Sequence, residues 1–360
     1  MGALETPLCA LLGIRHAILL AGMAGGPNTP ELVGAVSRAG GLGVLGVSGT
    51  TADATAEATR TAVRLAGGAP VGVNLQLAGG TEATTTRERM LEVLAPFRAE
   101  LGLPPDPPPP PAPDPPLALL EAALDAGARV VTTWHDPSPA LPAARAAGAP
   151  VLAMTTSVAG AVAARAAGAD AVIAQGSESG GHRSRFGPGA ETASETGTLA
   201  LVPQVRDALG GDVPVIASGG IADGRGIAAA LLVGAQGVSL GTLFLSATES
   251  GVTDTYRRAL RETAPEDTVV TDQVTGRPAR WIRNRIIDAL VTANAGTLGW
   301  GAQAALIADL RREANRQGRA DLMTMLAGQA AAIGAEPRPA ATIVRELVEG
   351  TEAALAAARA

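Results

Sequence analysis

Short β-branched apolar runs alternate with alanine-rich helical stretches through the first two-thirds of the chain, with Gly or Pro at the joints. Eight runs read as strands: Ala17–Leu20, Leu42–Val47, Val71–Leu75, Arg129–Thr133, Val151–Met154, Ala171–Gln175, Val213–Ala217 and Gln236–Leu240. Between them Glu31–Ala39, Ala52–Leu65, Pro139–Ala147, Val158–Ala167, Leu199–Leu209 and Gly226–Val233 read as helices, the first opened by Thr29-Pro30. Strands that are apolar throughout are buried on both faces, so they form a parallel sheet with helices outside it. Eight such units in about 250 residues fit an α/β chain closed as a (β/α)8 barrel. A doubly wound open sheet carries the same pattern, because periodicity does not show closure.

Two stretches fall outside the units. Pro104–Pro116 has 10 prolines in 13 residues; it must be extended, cannot join a sheet interior, and reads as a stiff surface spacer rather than a docking ligand. From about Ser250 to Ala360 the chain is helical by composition, with an extended patch at Thr268–Val274. This predicts a barrel over 1–250 and a mainly helical appendage, 251–360, packed on it. Within the appendage, Thr275–Arg280 (TGRPAR) with Arg283 and Arg285 reads as a structural cap element rather than a turn with solvated arginines.

Composition narrows the partners. There are 28 Lys+Arg against 34 Asp+Glu, and the aromatics are three Trp, three Phe and one Tyr. Neither a basic stripe for phosphates nor interleaved aromatics for stacking bases is available, so no nucleic-acid partner is expected. A single cysteine, Cys9, excludes an internal disulfide and suits a reducing compartment. Met1–Leu12 has no basic leader and no apolar run of membrane length follows; a cytoplasmic protein without membrane association is expected.

Barrel enzymes carry their sites at the C-terminal ends of the strands. The small residues Gly219 and Gly220 after the seventh strand, and Gly241 and Thr242 after the eighth, let backbone N–H groups approach an anion; they fit a phosphate site, and also fit plain turns. Gly41–Gly46 satisfies GxGxxG, but its glycines lie inside a strand that a helix precedes, so it is not a dinucleotide loop. The densest polar cluster at a strand end is Gln175–Arg183 (QGSESGGHR). Its His182 is a candidate general base, the alternative being a solvated loop imidazole. His135 stands at the end of the fourth strand, whereas His16 precedes the first. Three scattered histidines supply no spaced metal set, Cys9 lies on the wrong side for a nucleophile, and no Ser-His-acid set is legible. A phosphate site with one base and no metal points to an organic cofactor.

At these residues the chain resembles the nitronate monooxygenase (2-nitropropane dioxygenase-like) family of FMN-dependent TIM barrels. The resemblance runs from Leu11 to about Ile287, through AGMAGGPNTPELVGAVSRAGGLGVLG, GVNLQ, AQGSESGGHRSRF, PVIASGGIADGRG, GVSLGTLFLSATES and TGRPARWIRNR. It implies that Gly22 and Met23 line the flavin ring, that Asn74 and Gln175 hydrogen-bond its polar edge and the ribityl region, and that Gly180 and Gly181 let their loop lie against it. Gly219, Gly220, Gly241 and Thr242 would hold the FMN phosphate. His182 would remove the α-proton of a nitroalkane, and oxidation of the nitronate with O2 would give a carbonyl compound and nitrite. Ser179 and Ser184 stand where the family usually has Ala and Gly, and Trp134-His135 and the proline segment are foreign to its pattern. Rival readings are an FMN-dependent NAD(P)H reductase, of the enoyl-[acyl carrier protein] or quinone type, and a non-catalytic flavin-binding protein.

Overall fold

The computed structural model describes residues 2–77, 81–108, 110, 112–186 and 195–359; Pro109 and Pro111 of the proline segment lie outside these. In chain order the first elements are α1 (Pro7–Leu12), β1 (Ile18–Leu20), α2 (Pro30–Arg38), β2 (Gly43–Gly46), α3 (Ala52–Ala66), β3 (Val71–Gln76), α4 (Arg87–Glu100), α5 (Pro116–Asp125), β4 (Val130–Trp134) and α6 (Leu141–Ala146). Then follow β5 (Val151–Thr155), α7 (Val158–Ala167), β6 (Ala171–Gln175), β7 (Gly181–His182), α8 (Thr198–Ala208), β8 (Val215–Ser218), α9 (Gly224–Leu232) and β9 (Gly237–Leu240). The tail holds α10 (Asp254–Glu262), β10 (Thr268–Thr271), β11 (Ala279–Ile282), α11 (Arg285–Ala293), α12 (Ala302–Arg316) and α13 (Ala340–Ala357).

Eight strands pair in parallel in the order β1-β9-β8-β6-β5-β4-β3-β2. The ring closes between β1 and β2, where Leu42 N–H donates to the Ile18 carbonyl and Leu20 N–H to the Leu42 carbonyl, both at 2.9 Å. The open sheet is thereby excluded. Every residue of β4, β6, β8 and β9 is buried, which is why these strands show no alternation. The glycines of Gly41–Gly46 serve packing: a Cβ on Gly43 would fall 2.0 Å from the Val33 carbonyl oxygen of α2, and one on Gly46 2.4 Å from Ala24 N.

Helices α2, α3, α5, α6, α7, α8 and α9 follow successive barrel strands. The eighth position is filled from the end of the chain. α13 packs against α9 and α2 and buries Ala340, Ile343, Val344 and Leu347 in the barrel core. The crossing is close at Gly224, whose Cβ would lie 2.2 Å from the Gly350 carbonyl carbon. A boundary at residue 250 therefore leaves one helix of the tail with the barrel. Residues 247–339 are an insertion between the eighth strand and the eighth helix.

That insertion forms a cap with its own core. Leu260, Trp281, Ile286, Leu290, Leu306, Leu310 and Met325 pack with Met90, Leu94 and Phe97 of α4. Arg98 of α4, 1 % exposed, donates through both Nη atoms to Asp309 of α12 (2.9 and 2.7 Å) and through Nε to the Pro104 carbonyl (2.7 Å). The far end of the proline segment is fastened to the barrel, where Asp114 Oδ2 accepts from Ala52 N–H (2.7 Å) at the start of α3. β11 pairs antiparallel with both β10 and β7, joining Ala279 to His182 and Arg280 to Gly181. The cap is thus sewn to the barrel mouth. Among the described residues no helix is long and apolar enough to cross a membrane.

Deleting everything after Ser250 is expected to give insoluble protein, because it strips α13 from the barrel and leaves the apolar face of α4 without its partners. Expression and sedimentation check this; a soluble, flavin-binding truncate would contradict it.

Candidate active site

The loops after β6, β8 and β9 meet with one segment of the cap. After β8, Gly219 (φ +118°) and Gly220 (φ +68°) take backbone conformations that glycine tolerates best. A Cβ on Gly219 would lie 2.6 Å from Ser179 Oγ and 2.8 Å from Thr198 Oγ1. After β9, Gly241 precedes a short 3-10 turn over Thr242–Ser246. Thr242 Oγ1 accepts from the Gly328 N–H at 3.0 Å, and the Gln329 N–H donates to the Glu178 carbonyl at 3.0 Å. Gly180 lies against the same segment, since its Cβ would fall 2.5 Å from Gly328 N. The Glu178 carboxylate caps α8, accepting from the Thr198 N–H at 3.0 and 2.9 Å. Ser179 Oγ is buried beside this glycine cradle with no hydrogen-bond partner among the described residues.

On the opposite side, Gly22 lies against Asn74, where a Cβ would fall 2.1 Å from Asn74 Cβ. Asn74 Nδ2 donates to Thr132 Oγ1 at 2.8 Å. Met23 Sδ is 3.5 Å from the place a Gly241 Cβ would take. Gln175 faces the loop: its Nε2 donates to the His182 carbonyl (2.9 Å) and its Oε1 accepts from the Ser184 N–H (3.1 Å). Ser184 Oγ in turn donates to the Met154 carbonyl at 2.7 Å. Arg183 donates to the Gly176 carbonyl, and Arg280 to the Ser177 carbonyl at 3.1 and 2.8 Å. The arginines Arg277 and Arg280 are buried, in keeping with a cap element.

His182 is held by its backbone pairing with Ala279 and by Nε2, 2.9 Å from Thr275 Oγ1. All three tryptophans of the chain surround it, with ring centroids at 4.8 Å (Trp300), 5.2 Å (Trp134) and 6.1 Å (Trp281). Burial, reinforced by the Arg277 charge and by His135, lowers its pKa to about 3, so the ring is neutral at ordinary pH. His135 is also buried and takes φ +82°, rare for a residue with a side chain. Its Nδ1 lies 2.6 Å from the Arg185 carbonyl and its Nε2 2.5 Å from Arg277 Nη1. That network assigns the proton to Nδ1, with Nε2 accepting. Burial, with the Arg277 and Arg185 charges, brings the His135 pKa down to about 4 despite the bond to Arg185.

The structure therefore gathers Gly22, Met23, Asn74, Gln175, Gly180, Gly181, His182, Gly219, Gly220, Gly241 and Thr242 at one barrel end. His16, whose N–H bonds the Gly40 carbonyl ahead of β1, stays at the other. Sequence reasoning read Thr275–Arg280 as a structural cap element only, and passed over Trp281, Trp300, Gly328 and Gln329, all of which the cap delivers to the mouth. Their one legible signal was the use of all three tryptophans in a chain with so few aromatics. Among the described residues no group of three or more His, Cys, Asp or Glu side chains could hold a metal ion.

Glycine loops at the C-terminal mouth of a closed (β/α)8 barrel, around a half-buried imidazole, have the layout of a barrel-enzyme site. A family model described as nitronate monooxygenase matches residues 5–350, and the chain belongs to that family. It is 35 % identical over 333 residues to a probable nitronate monooxygenase of Staphylococcus saprophyticus, covering 91 % of this chain and 92 % of the relative. A probable nitronate monooxygenase of Staphylococcus aureus is 33 % identical over 344 residues, with 95 % and 96 % covered. Among solved structures, nitroalkane oxidase from Streptomyces ansochromogenes superposes with a TM-score of 0.84 at 34 % identity, covering 98 % of this chain and 99 % of that one. FabK from Thermotoga maritima gives 0.77 at 30 % identity, with 99 % and 98 % covered.

Proposed function

We propose that the protein oxidises alkyl nitronates with O2 to a carbonyl compound and nitrite at a bound FMN, and accepts neutral nitroalkanes by first removing their α-proton with His182. The observation that carries this reading is a neutral imidazole, anchored through Thr275 and ringed by three indoles, at the same barrel mouth as the glycine cradle. The cradle is compatible with a phosphate: a Cβ on Gly241 would meet nothing closer than Met23 Sδ at 3.5 Å, Gly219 and Gly220 take positive φ in a tight turn, and Thr242 and the Ser179 hydroxyl, which has no partner among the described residues, supply polar groups. Gly22, Met23 and Asn74 would flank the ring system. FMN, when bound, supplies the redox chemistry that no side chain has.

The protein's own part is proton transfer and exclusion of water. Thr275 Oγ1 accepts the Nε2–H of His182, which leaves Nδ1 as the lone pair that takes the α-proton. Once both ring nitrogens carry hydrogen, the same Thr275 contact steadies the imidazolium. The indoles keep bulk water from the carbanionic carbon and offer an apolar wall to the alkyl group.

The test is a visible spectrum of the purified protein, then O2 uptake and nitrite release with propyl-2-nitronate. The expected result is a flavin band, FMN on acid release, and one nitrite per carbonyl compound. Anaerobic bleaching by NADH, with no O2 uptake on the nitronate, would overturn it in favour of a reductase.

A further inference from the structure

We propose that the Trp134 indole N–H and the Gln76 carboxamide, side by side at the ends of β4 and β3, hold the two nitro oxygens of the substrate; this rests on the nitronate reading above. Both donors are buried without an acceptor. Trp134 Nε1 and Gln76 Nε2 have no hydrogen-bond partner among the described residues, and Trp134 as a whole is 7 % exposed. Folded chains leave few such groups, because an N–H that gives up water and finds no acceptor is costly. Trp281 Nε1 has no such partner either, but Trp281 packs in the cap core rather than on a barrel strand.

Strand register puts the two donors together and turns them inward. Gln76 is paired with Trp134, and two residues earlier Asn74 is paired with Thr132. Asn74 points into the barrel, since it meets Gly22, which follows β1, although β2 runs between their strands. Its Nδ2 bond to Thr132 Oγ1, at 2.8 Å, places that hydroxyl on the same side. Side chains alternate along a strand, so Gln76 and Trp134 share this inner side one step nearer the mouth. The strand ends are fixed there: the Gln76 N–H donates to Ser48 Oγ at 3.1 Å, and the Leu77 N–H to the Trp134 carbonyl at 3.4 Å. The indole is held by its neighbours, with the His182 and Trp300 ring centroids at 5.2 and 5.6 Å. A small group bound at these donors is therefore within reach of the base. A nitro group offers two oxygen acceptors and no donor, which answers two unpaired N–H groups. Both donors are neutral, so they take the nitroalkane before its proton leaves and hold the anion more strongly. As His182 removes the α-proton, charge moves onto those oxygens, where preplaced N–H groups are most effective.

The test compares Trp134→Phe and Gln76→Met with the wild-type holoenzyme; the first keeps an aromatic ring and the second a chain of equal length, and each removes the N–H. Loss of one hydrogen bond to an anionic oxygen corresponds to a rise of about 10- to 100-fold in KM for propyl-2-nitronate. Each variant should show that rise with unchanged flavin content. Its kcat on the nitronate should stay within about threefold, because a preformed nitronate carries its charge from the start. A residue that served packing alone would lower kcat or flavin content instead. Isobutyrate, a carboxylate of the same shape, is titrated separately by calorimetry; it should bind the wild type and lose about 10- to 100-fold in affinity in each variant. That loss supports the donor pair even if the wild type fails to oxidise nitronates, so the two readings fail separately. No isobutyrate binding by the wild type, unchanged nitronate KM and isobutyrate affinity in either variant, or a rise in KM matched by an equal fall in kcat would overturn the proposal.

Discussion

His182→Asn is expected to keep its flavin and to lose about two to four decades of activity on a neutral nitroalkane, while activity on the preformed nitronate falls far less. The position is held through its backbone, by pairing with Ala279 and by the Gln175 bond to its carbonyl, so replacing the ring leaves the loop in place. What the variant lacks is a basic nitrogen. A positioned base contributes ~10²–10⁴-fold, or roughly 3–5 kcal/mol of barrier, and a nitronate prepared beforehand does not need it. The pH profile gives a second readout. Burial, then Arg277 and His135, hold the imidazole well below its ordinary 6.5, at about 3. The depressed value favours the neutral form, so the base is present above that value and is lost only as pH falls towards it. Wild-type kcat/KM for a neutral nitroalkane should therefore show no break near pH 6.5 from this group. Equal losses on both substrate forms would make His182 a binding residue. No loss would turn attention to His135, although both of its ring nitrogens are already engaged.

Gly220→Asp is expected to yield a folded protein without flavin. Aspartate is one of the few side chains that tolerate the left-handed conformation found at Gly220 (φ +68°). Its Cβ would sit 3.2 Å from Glu178 Cβ, a contact that a small shift relieves. The damage comes from charge: like charges about 4 Å apart at an effective dielectric of about 20 cost about 4 kcal/mol, on the order of a thousandfold in affinity. Gly219→Ala is the steric counterpart, since its added carbon would meet Ser179 Oγ at 2.6 Å and Thr198 Oγ1 at 2.8 Å. Flavin content per chain and a far-ultraviolet spectrum read both variants. A Gly220→Asp protein that remains yellow would remove the phosphate from this cradle.

Much of the site was legible because a barrel ties function to sequence position. Once Ala171–Gln175 and the strands ending at Ala217 and Leu240 are read, the residues that follow must lie at one end of the ring. Gln175 shows where such reading stops. A polar residue at a strand end can face a cofactor, its own loop or both, and the sequence does not show that Gln175 bonds the His182 carbonyl and the Ser184 N–H. Arg277 and Arg280 illustrate the same limit, for an arginine-rich turn looks identical in sequence whether its heads are solvated or buried on carbonyls and rings.

The sequence by itself determined the repeating unit and, with it, the parallel strands, the buried ring and the end at which chemistry could sit. These follow from local periodicity and backbone preference, which act within a window of a few residues. Tertiary structure alone decided that α13 is the eighth barrel helix, that α4 joins the cap, and that Trp134, Trp281 and Trp300 converge on His182. An apolar helix face must be buried, but its pattern does not say against what. The partner is set by which surfaces remain uncovered once the ring has closed and the insertion has folded over its mouth.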